Sequence, residues 1–298
     1  MTHRVRGSLP LAAGMTLAAC SIAATAVPAS AQTVHRPAIT APADEPMAVP
    51  KGYRKVWSDE FDRPGLPDPA KWTWDTSRNK IGWHNEERQY YAAKRLENVR
   101  VENGHLIIEA RKERLSEKPD FGGQDYASGK IITRGLGDFT YGFIEVRAKL
   151  PCGRGIWPAI WMLASDDSAG WPAMGEIDIM EHVGWDPGRV HGTVHTKAYN
   201  HVANTQKGSS RMVADACSAF HTYQLDWNAD RILIGIDGRA HMRFDNEHKG
   251  DPATWPFATP EYLILNVAVG GWGGQMGIDD AAFPAKMEVD YVRVWQKK

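Results

Sequence analysis

Residues 51–298 carry apolar side chains mostly at every second position, and this alternation is the feature that most restricts the fold. In 144–150 the apolar residues alternate with charged ones, as in a half-buried antiparallel strand. Residues 232–236 and 240–244 repeat the pattern on either side of Asp237-Gly238, a dipeptide typical of a hairpin turn. No stretch of a dozen residues keeps a helical period of about 3.6. We therefore predict an all-β sandwich of many short strands.

The composition favours one soluble, turn-rich domain and argues against two classes of partner. The chain has 298 residues, of which 43% are hydrophobic, with 28 Gly and 18 Pro. Its 35 Lys and Arg nearly balance 36 Asp and Glu, which argues against a nucleic-acid surface or a polybasic membrane surface. Residues 51–298 show no repeat and no internal linker, so we expect them to form one domain. All 12 Trp lie in this part of the chain.

The N-terminus has the pattern of an export signal. Arg4 and Arg6 precede an apolar, Ala-rich stretch that ends at Ala29-Ser30-Ala31, a small-residue cleavage site. We predict a signal peptide over 1–31 and a flexible, Pro-rich leader over 32–50. A permanent membrane anchor and a lipoprotein attached through Cys20 are the competing interpretations.

Simple export leaves two cysteines in the mature chain, Cys152 and Cys217. An even pair in an exported protein suggests one disulfide. Two buried free thiols are the alternative.

The segment from Gly175 to Gly184, GEIDIMEHVG, contains three acids. Its flanks are strand-like, so a strand should place Glu176 and Asp178 on one face and the two Ile on the other. Strict alternation would bury Glu181 among the Ile side chains. One extra residue at 179–180, a β-bulge, would return Glu181 to the face of the other two acids.

Three acids on one face suit the hydrolysis of glycosidic bonds with retention of configuration. Two carboxylates about 5–5.5 Å apart can serve as the nucleophile and the acid/base, and a third acid between them can separate their pKa values. A solvated acidic face and a calcium site are the alternatives that the local sequence leaves open.

The same segment closely resembles the catalytic signature E-x-D-x-x-E of family 16 glycoside hydrolases, in the form of bacterial laminarinases. The resemblance covers nearly all of the mature chain and includes these further segments: 57–62, 85–91, 128–131, 141–151, 157–163, 191–196, 220–223 and 289–295. It implies a β-jelly-roll of two antiparallel sheets with an open concave glycan cleft.

The resemblance also implies residue roles. Glu176 would be the nucleophile, Glu181 the general acid/base and Asp178 the assistant to Glu176. Catalysis would need no cofactor. A structural calcium ion would match the positions Glu60, Gly104 and Asp290, although Glu60 and Asp290 could equally be exposed strand acids.

Aromatic side chains near the acids are candidate platforms for the apolar faces of sugar rings. The candidates are Trp157, Trp161, Trp171, Trp185 and Trp272. The segment 270–274, GGWGG, departs from the family's frequent G-G-N-W-P-G, which puts the subsite of Trp272 in doubt. Asn85 and Glu86 match the family's polar sugar-contacting pair, or are plain turn residues. Trp227 and Trp295 lie in alternating strands and are expected in the core.

His191 and His195 would form a metal pair on a helix, but their neighbours indicate a strand, where they would lie about 13 Å apart. No third ligand is evident for zinc. We expect His195 to point into the cleft beside the acids and to bind substrate, or to be a hydrogen-bonded structural histidine. No nucleophile elbow, P-loop or dinucleotide fingerprint is present.

These patterns predict an exported, retaining, endo-acting β-1,3-glucanase that cleaves laminarin-like polysaccharide. The alternatives are the same chemistry on mixed-linkage β-1,3-1,4-glucan or a galactan, transglycosylation, and a glycan-binding module without activity. The expected partner is a neutral polysaccharide. Neither nucleic acid nor a protein partner is implied, and we expect a monomer.

Overall fold

The structure is a computed structural model that describes Met1, the backbone of 38–39 and residues 44–298. The predicted signal peptide, its Cys20 and most of the predicted leader lie outside the described residues. No helix in the described part of the chain is long and apolar enough to cross a membrane.

The described residues form nineteen strands and three short 3-10 helices. The strands are β1 Ala38–Ile39, β2 Tyr53–Asp59, β3 Thr73–Trp74, β4 Gln89–Tyr91, β5 Val99–Glu102, β6 His105–Ala110, β7 Tyr126–Ser128, β8 Lys130–Ile132, β9 Asp138–Phe139, β10 Gly142–Lys149, β11 Ile156–Ala164, β12 Glu176–His182, β13 Arg189–His195, β14 Lys207–Met212, β15 His221–Trp227, β16 Arg231–Ile236, β17 Arg239–Asp245, β18 Glu261–Val269 and β19 Ala285–Lys297. The 3-10 helices are His84–Glu86, Gly271–Gly274 and Asp280–Ala282.

Two large sheets contain nearly all of these strands. The front sheet has the order β1-β14-β13-β12-β11-β18-β8-β3, with β9 also paired to β18. The back sheet has the order β17-β16-β15-β10-β19-β6-β5, with β2 also paired to β19. Within these two sheets neighbouring strands are antiparallel, except that β1 runs parallel to β14. The strands β4 and β7 form a separate parallel pair. The predicted all-β sandwich is confirmed.

The main core lies between the two sheets, as the alternation requires. Front-sheet residues such as Ile160 and Ile177 pack in one cluster with back-sheet residues such as Ile144 and Val292. Trp227 is fully buried there, as predicted.

In the back sheet the predicted hairpin turn is present, whereas Trp295 does not lie in the main core. Asp237 and Gly238 have φ of +50° and +78° and join β16 to β17, as expected for the predicted hairpin turn. Trp295 is only partly buried and packs against Phe143 in a smaller cluster outside the main core. The core expectation for Trp295 is therefore wrong, because alternation along β19 directs this indole to the outer side of the sheet.

The bulge predicted in β12 is confirmed by the strand register. Asp178 lies opposite Thr193 and Glu181 opposite His191, so two residues of β12 face a single residue of β13. The pairing of β12 with β11 shifts at the same place. The extra residue lies in 179–180.

The bulge separates the side chains of β12 by polarity. Three apolar side chains are fully buried in the main core: Ile177, Ile179 and Met180. The acids Glu176, Asp178 and Glu181 lie on the other face of the front sheet. One strand therefore contributes both to the core and to a row of carboxyl groups.

Part of the predicted leader contacts the domain. Met47 is 5% exposed and packs in the cluster of Phe143, while Glu45 forms ion pairs with Arg231 and Arg243. Flexibility of the leader stays a prediction for the residues before 44, and so does the domain boundary at 51.

Cys152 and Cys217 are joined by a disulfide, with 5.8 Å between their Cα atoms. The bridge connects the segment after β10 to the segment before β15. The alternative of two free thiols is thereby set aside.

Candidate active site

The three acids of β12 form a compact cluster, most of it shielded from water. Asp178 is 3% exposed, and Glu176 and Glu181 are partly buried on either side of it. The neighbouring strand places His195 opposite Glu176 and His191 opposite Glu181. The strand register thus brings two histidines to the same row as the acids.

His195 lies against two of the acids. Its Nε2 is 3.3 Å from Oδ2 of Asp178 and 3.8 Å from Oε1 of Glu176. The ring is 5% exposed. The structure therefore places His195 beside the acids, and its binding of substrate stays a prediction.

Two indole groups hold the outer acids. Nε1 of Trp171 donates a hydrogen bond of 2.7 Å to Oε2 of Glu176, and Nε1 of Trp157 donates one of 3.2 Å to Oε1 of Glu181. Each indole fixes the orientation of one carboxyl group. Trp171 remains 39% exposed, so its ring can still contact a ligand. The sequence predicted both Trp as sugar platforms but not these hydrogen bonds.

Burial is the main electrostatic influence on the cluster. Burial, and then the charge of Asp178, raise the pKa of Glu176 to about 8. Burial and the charge of Glu261 raise the pKa of Asp178 to about 7, although a hydrogen bond with Glu176 opposes the rise. Burial and the charges of Asp178 and Glu176 also raise the pKa of Glu181 well above its usual range. The cluster therefore holds protons at neutral pH, as a general acid must.

Trp161 lies on the same face of the front sheet as the acids, and neighbouring polar side chains hold its indole in place. Its Nε1 donates to Oδ1 of Asn266 at 2.7 Å, and Nδ2 of Asn266 donates to the hydroxyl of Tyr91 at 2.9 Å. The ammonium group of Lys130 lies 5.2 Å from the Trp161 ring and 4.7 Å from the Trp83 ring. This packing gives Trp161 a rigid position.

Trp185 and Trp272 form an aromatic group, here called the Trp272 wall, beside the Trp157 indole that binds Glu181. Nε1 of Trp185 donates to the backbone carbonyl of Trp272 at 2.8 Å. The Trp272 ring packs edge-on against Trp157, with 5.9 Å between ring centres, and lies 4.8 Å from His191. Trp185 therefore supports the loop that carries Trp272.

Asn85 and Glu86 lie exposed in the 3-10 turn His84–Glu86, at the rim of this wall. A Cβ added at Gly271 would lie 2.8 Å from the Asn85 carbonyl oxygen and 2.9 Å from the Trp157 ring. Only glycine allows the two loops to approach so closely. Asn85 thus lies near Trp157, and the carbonyl oxygen of Glu86 lies near Gly270.

Comparison with known proteins agrees with this geometry. Residues 86–293 match the model of "Glycosyl hydrolases family 16". A "Beta-glucanase" of Rhodothermus marinus is 52% identical over 252 residues, which cover 82% of this chain and 85% of that protein. The chain belongs to glycosyl hydrolase family 16.

Solved structures resemble this family 16 hydrolase over most of its length. The crystal structure of SCLam, "a non-specific endo-beta-1,3(4)-glucanase from family GH16", has a TM-score of 0.85 and 68% sequence identity. The match covers 87% of this chain and 97% of that one. A mutant of the same enzyme, with a TM-score of 0.86 and 68% identity, covers 87% of this chain and 100% of its own and presents a 1,3-beta-D-cellobiosyl-glucose at its active site.

Sequence reasoning missed two residues of the hydrolase site. The ring of His201 lies 4.9 Å from Trp171 and 5.2 Å from His195, on a turn whose sequence carries no periodic signal. Glu261 is fully buried at the start of β18, and within the described residues neither of its carboxyl oxygens has a hydrogen-bond partner. An acid opening the apolar run 262–269 is a signal that could have identified Glu261.

The residues that the resemblance assigns to calcium have other partners. Nη2 of Arg293 donates to Oε2 of Glu60 at 2.8 Å, and Arg293 lowers the pKa of Glu60 to about 2. Nη1 of Arg147 donates to Oδ2 of Asp290 at 2.6 Å. Gly104 lies in a turn with φ of +77°. Because guanidinium groups already neutralise both carboxylates, these contacts do not fit a calcium cage.

Replacing Asp178 should change the pH dependence of this hydrolase. The charge of Asp178 raises the pKa of both Glu176 and Glu181, so Asp178→Asn should move both limbs of the kcat/KM profile to lower pH. We expect kcat at the optimum to fall about tenfold to a hundredfold. Asp230→Asn, which changes an exposed carboxyl group, is the control. Unchanged limbs in Asp178→Asn would contradict the electrostatic coupling.

Proposed function

We propose that this family 16 hydrolase cleaves β-1,3-glucan internally, with retention of configuration, by double displacement. The observation that supports this most strongly is the bulged strand that holds Glu176, Asp178 and Glu181 in one buried row, with an indole N–H on each outer acid.

In the first step a carboxylate oxygen of Glu176 attacks the anomeric carbon. The glycosidic C–O bond breaks, and the departing oxygen takes the proton of Glu181. The raised pKa of Glu181 keeps that proton available near neutral pH. Asp178 shares a proton with Glu176 and thereby lets Glu176 ionise when substrate approaches.

In the second step Glu181, now ionised, takes a proton from water. The water oxygen attacks the anomeric carbon and breaks the ester to Glu176. Two inversions at the same carbon give net retention. Both carboxyl groups return to their starting states, so no cofactor is consumed.

The substrate class rests on the relatives and on the charge of the chain. The enzyme named a non-specific endo-beta-1,3(4)-glucanase is 68% identical to this chain. A net charge of −1 suits a neutral glucan, which is bound by aromatic rings and hydrogen bonds. The same relative favours a second candidate function, the cleavage of mixed-linkage β-1,3-1,4-glucan.

Removing the carboxylic acid of either Glu176 or Glu181 should abolish hydrolysis. We expect Glu176→Gln and Glu181→Gln each to fold normally and to lower kcat on laminarin by about a thousandfold or more, since each removes a group that acts in the transition state. Glu117→Gln, at an exposed site, is the control. Reducing-end release and circular dichroism measure both properties. An active variant of either kind would overturn the assigned roles.

Product analysis on laminarin, lichenan and agar separates the candidate substrates. Internal cleavage of laminarin supports the first proposal, and cleavage of lichenan adds the mixed-linkage activity. Cleavage of agar alone would favour a galactan. Longer products from an added acceptor would indicate transglycosylation, and binding without cleavage would indicate a glycan-binding module.

We also propose that the protein is exported. The pattern of residues 1–31 and the Cys152–Cys217 disulfide support this proposal. Mass spectrometry of the secreted protein should find Gln32 at the N-terminus. A lipid-modified Cys20 would indicate an anchored lipoprotein, and an intact Met1 would contradict export.

Thermal unfolding tests whether calcium binds at Glu60, Gly104 and Asp290, as the family resemblance implies. Because Arg293 and Arg147 already pair with the two carboxylates, we expect the same Tm in calcium and in EDTA. A Tm that rises in calcium, with the rise lost in Asp290→Asn, would instead support the calcium site.

A further inference from the structure

Three side chains of the acidic cluster have the spacing of metal ligands. One ligand atom from each of Glu176, Asp178 and His195 lies within 4.8 Å of the others. The two distances from Nε2 of His195 are 3.3 and 3.8 Å. Ligand atoms around a tetrahedral ion with bonds of about 2.0–2.2 Å lie about 3.3–3.6 Å apart. The two distances from His195 are therefore within a few tenths of an ångström of this spacing. The ligand oxygens of Glu176 and Asp178 lie within 4.8 Å of each other.

One ligand atom of this group has free bonding capacity. Among the described residues, Oδ2 of Asp178 is buried and has no hydrogen-bond partner. Asp178 is 3% exposed, and its free oxygen faces the imidazole. Trp171 donates to Oε2 of Glu176, while the other oxygen, Oε1, lies 3.8 Å from Nε2 of His195. Oδ2 of Asp178 lies 3.3 Å from Nε2 of His195 but has no hydrogen bond, an unfavourable arrangement for a buried acceptor that a bound cation would relieve.

The donor set favours one class of ion. Two carboxylates and one imidazole suit zinc and neighbouring transition metals, whereas Ca²⁺ and Mg²⁺ prefer oxygen ligands alone. We propose that Glu176, Asp178 and His195 form an inhibitory site for a divalent transition-metal ion of the zinc class.

Binding at this site excludes catalysis. The ion would occupy the carboxylate proposed as nucleophile, together with its assistant, so metal and glucan would compete. The inhibition rests on the proposed function, but the binding does not, because it depends only on the three ligand atoms.

A second group of residues has the spacing of metal ligands and is the alternative location for a bound ion. Cys152, His182 and Cys217 also lie within the same limit of one another. Their sulfur atoms are joined in a disulfide, and Nε2 of His182 accepts a hydrogen bond of 3.1 Å from the backbone N–H of Gly188. This group therefore lacks the thiolates that bind zinc.

Calorimetric titration of the whole, oxidised protein with Zn²⁺ tests binding directly. We expect one ion per chain, and affinity lower by about tenfold or more in His195→Asn and in Asp178→Asn. His221→Asn is the matched control. Its ring also contacts two carboxylates, Asp215 and Asp237, but through opposite nitrogens at 3.2 and 2.6 Å, so the three cannot share an ion.

Unchanged affinity in both site variants, with folding verified by circular dichroism, would overturn the proposal. So would an intense thiolate absorption band with Co²⁺, which would locate the ion at the cysteines.

Kinetics on laminarin test the inhibition separately. Zn²⁺ should raise the KM and leave kcat unchanged, EDTA should reverse the effect, and Ca²⁺ at the same concentration should have none. Inhibition that lowers kcat alone would contradict competition at this site. A parent protein that binds Zn²⁺ but hydrolyses no glucan would disprove the proposed function and leave the metal site standing.

Discussion

The extra residue in β12 is the constraint on which the rest of the site depends. Without it, Glu181 would point into the core between the sheets, where an unpaired carboxylate is strongly unfavourable. With it, Ile177, Ile179 and Met180 all remain in the core while the acids share the opposite face. The bulge thus reconciles a buried central strand with a row of three ionisable groups.

Packing then determines the chemistry of that row. Trp157 and Trp171 cover the outer acids and donate to them, so little water reaches the carboxyl groups. Burial raises the pKa of all three acids, and repulsion from neighbouring carboxylates, Glu261 included, adds to it, which lets one acid donate a proton at neutral pH. The same crowding leaves the Asp178 oxygen Oδ2 without a hydrogen bond, and this oxygen could bind a cation. The burial and crowding of the three carboxyl groups therefore underlie both the raised pKa values and the proposed metal binding.

The sequence predicted what depends on local pattern. The strands follow from the period of two, and the bulge follows from the need to keep Glu181 out of the core. The hydrogen bonds of Trp157 and Trp171 depend on distances between strands, which periodicity does not contain. The ion pairs of Glu60 with Arg293 and of Asp290 with Arg147 join residues far apart in sequence, so the local pattern did not predict them.

The central claim is that the bulged strand presents Glu176 as a nucleophile. A 2-fluoro-substituted β-glucoside with a good leaving group slows the second step and lets the glycosyl-enzyme accumulate. Peptide mass spectrometry of the inactivated protein then locates the ester. We expect one sugar per chain, attached to Glu176. A label on Asp178 or Glu181, or inactivation without any covalent sugar, would contradict it.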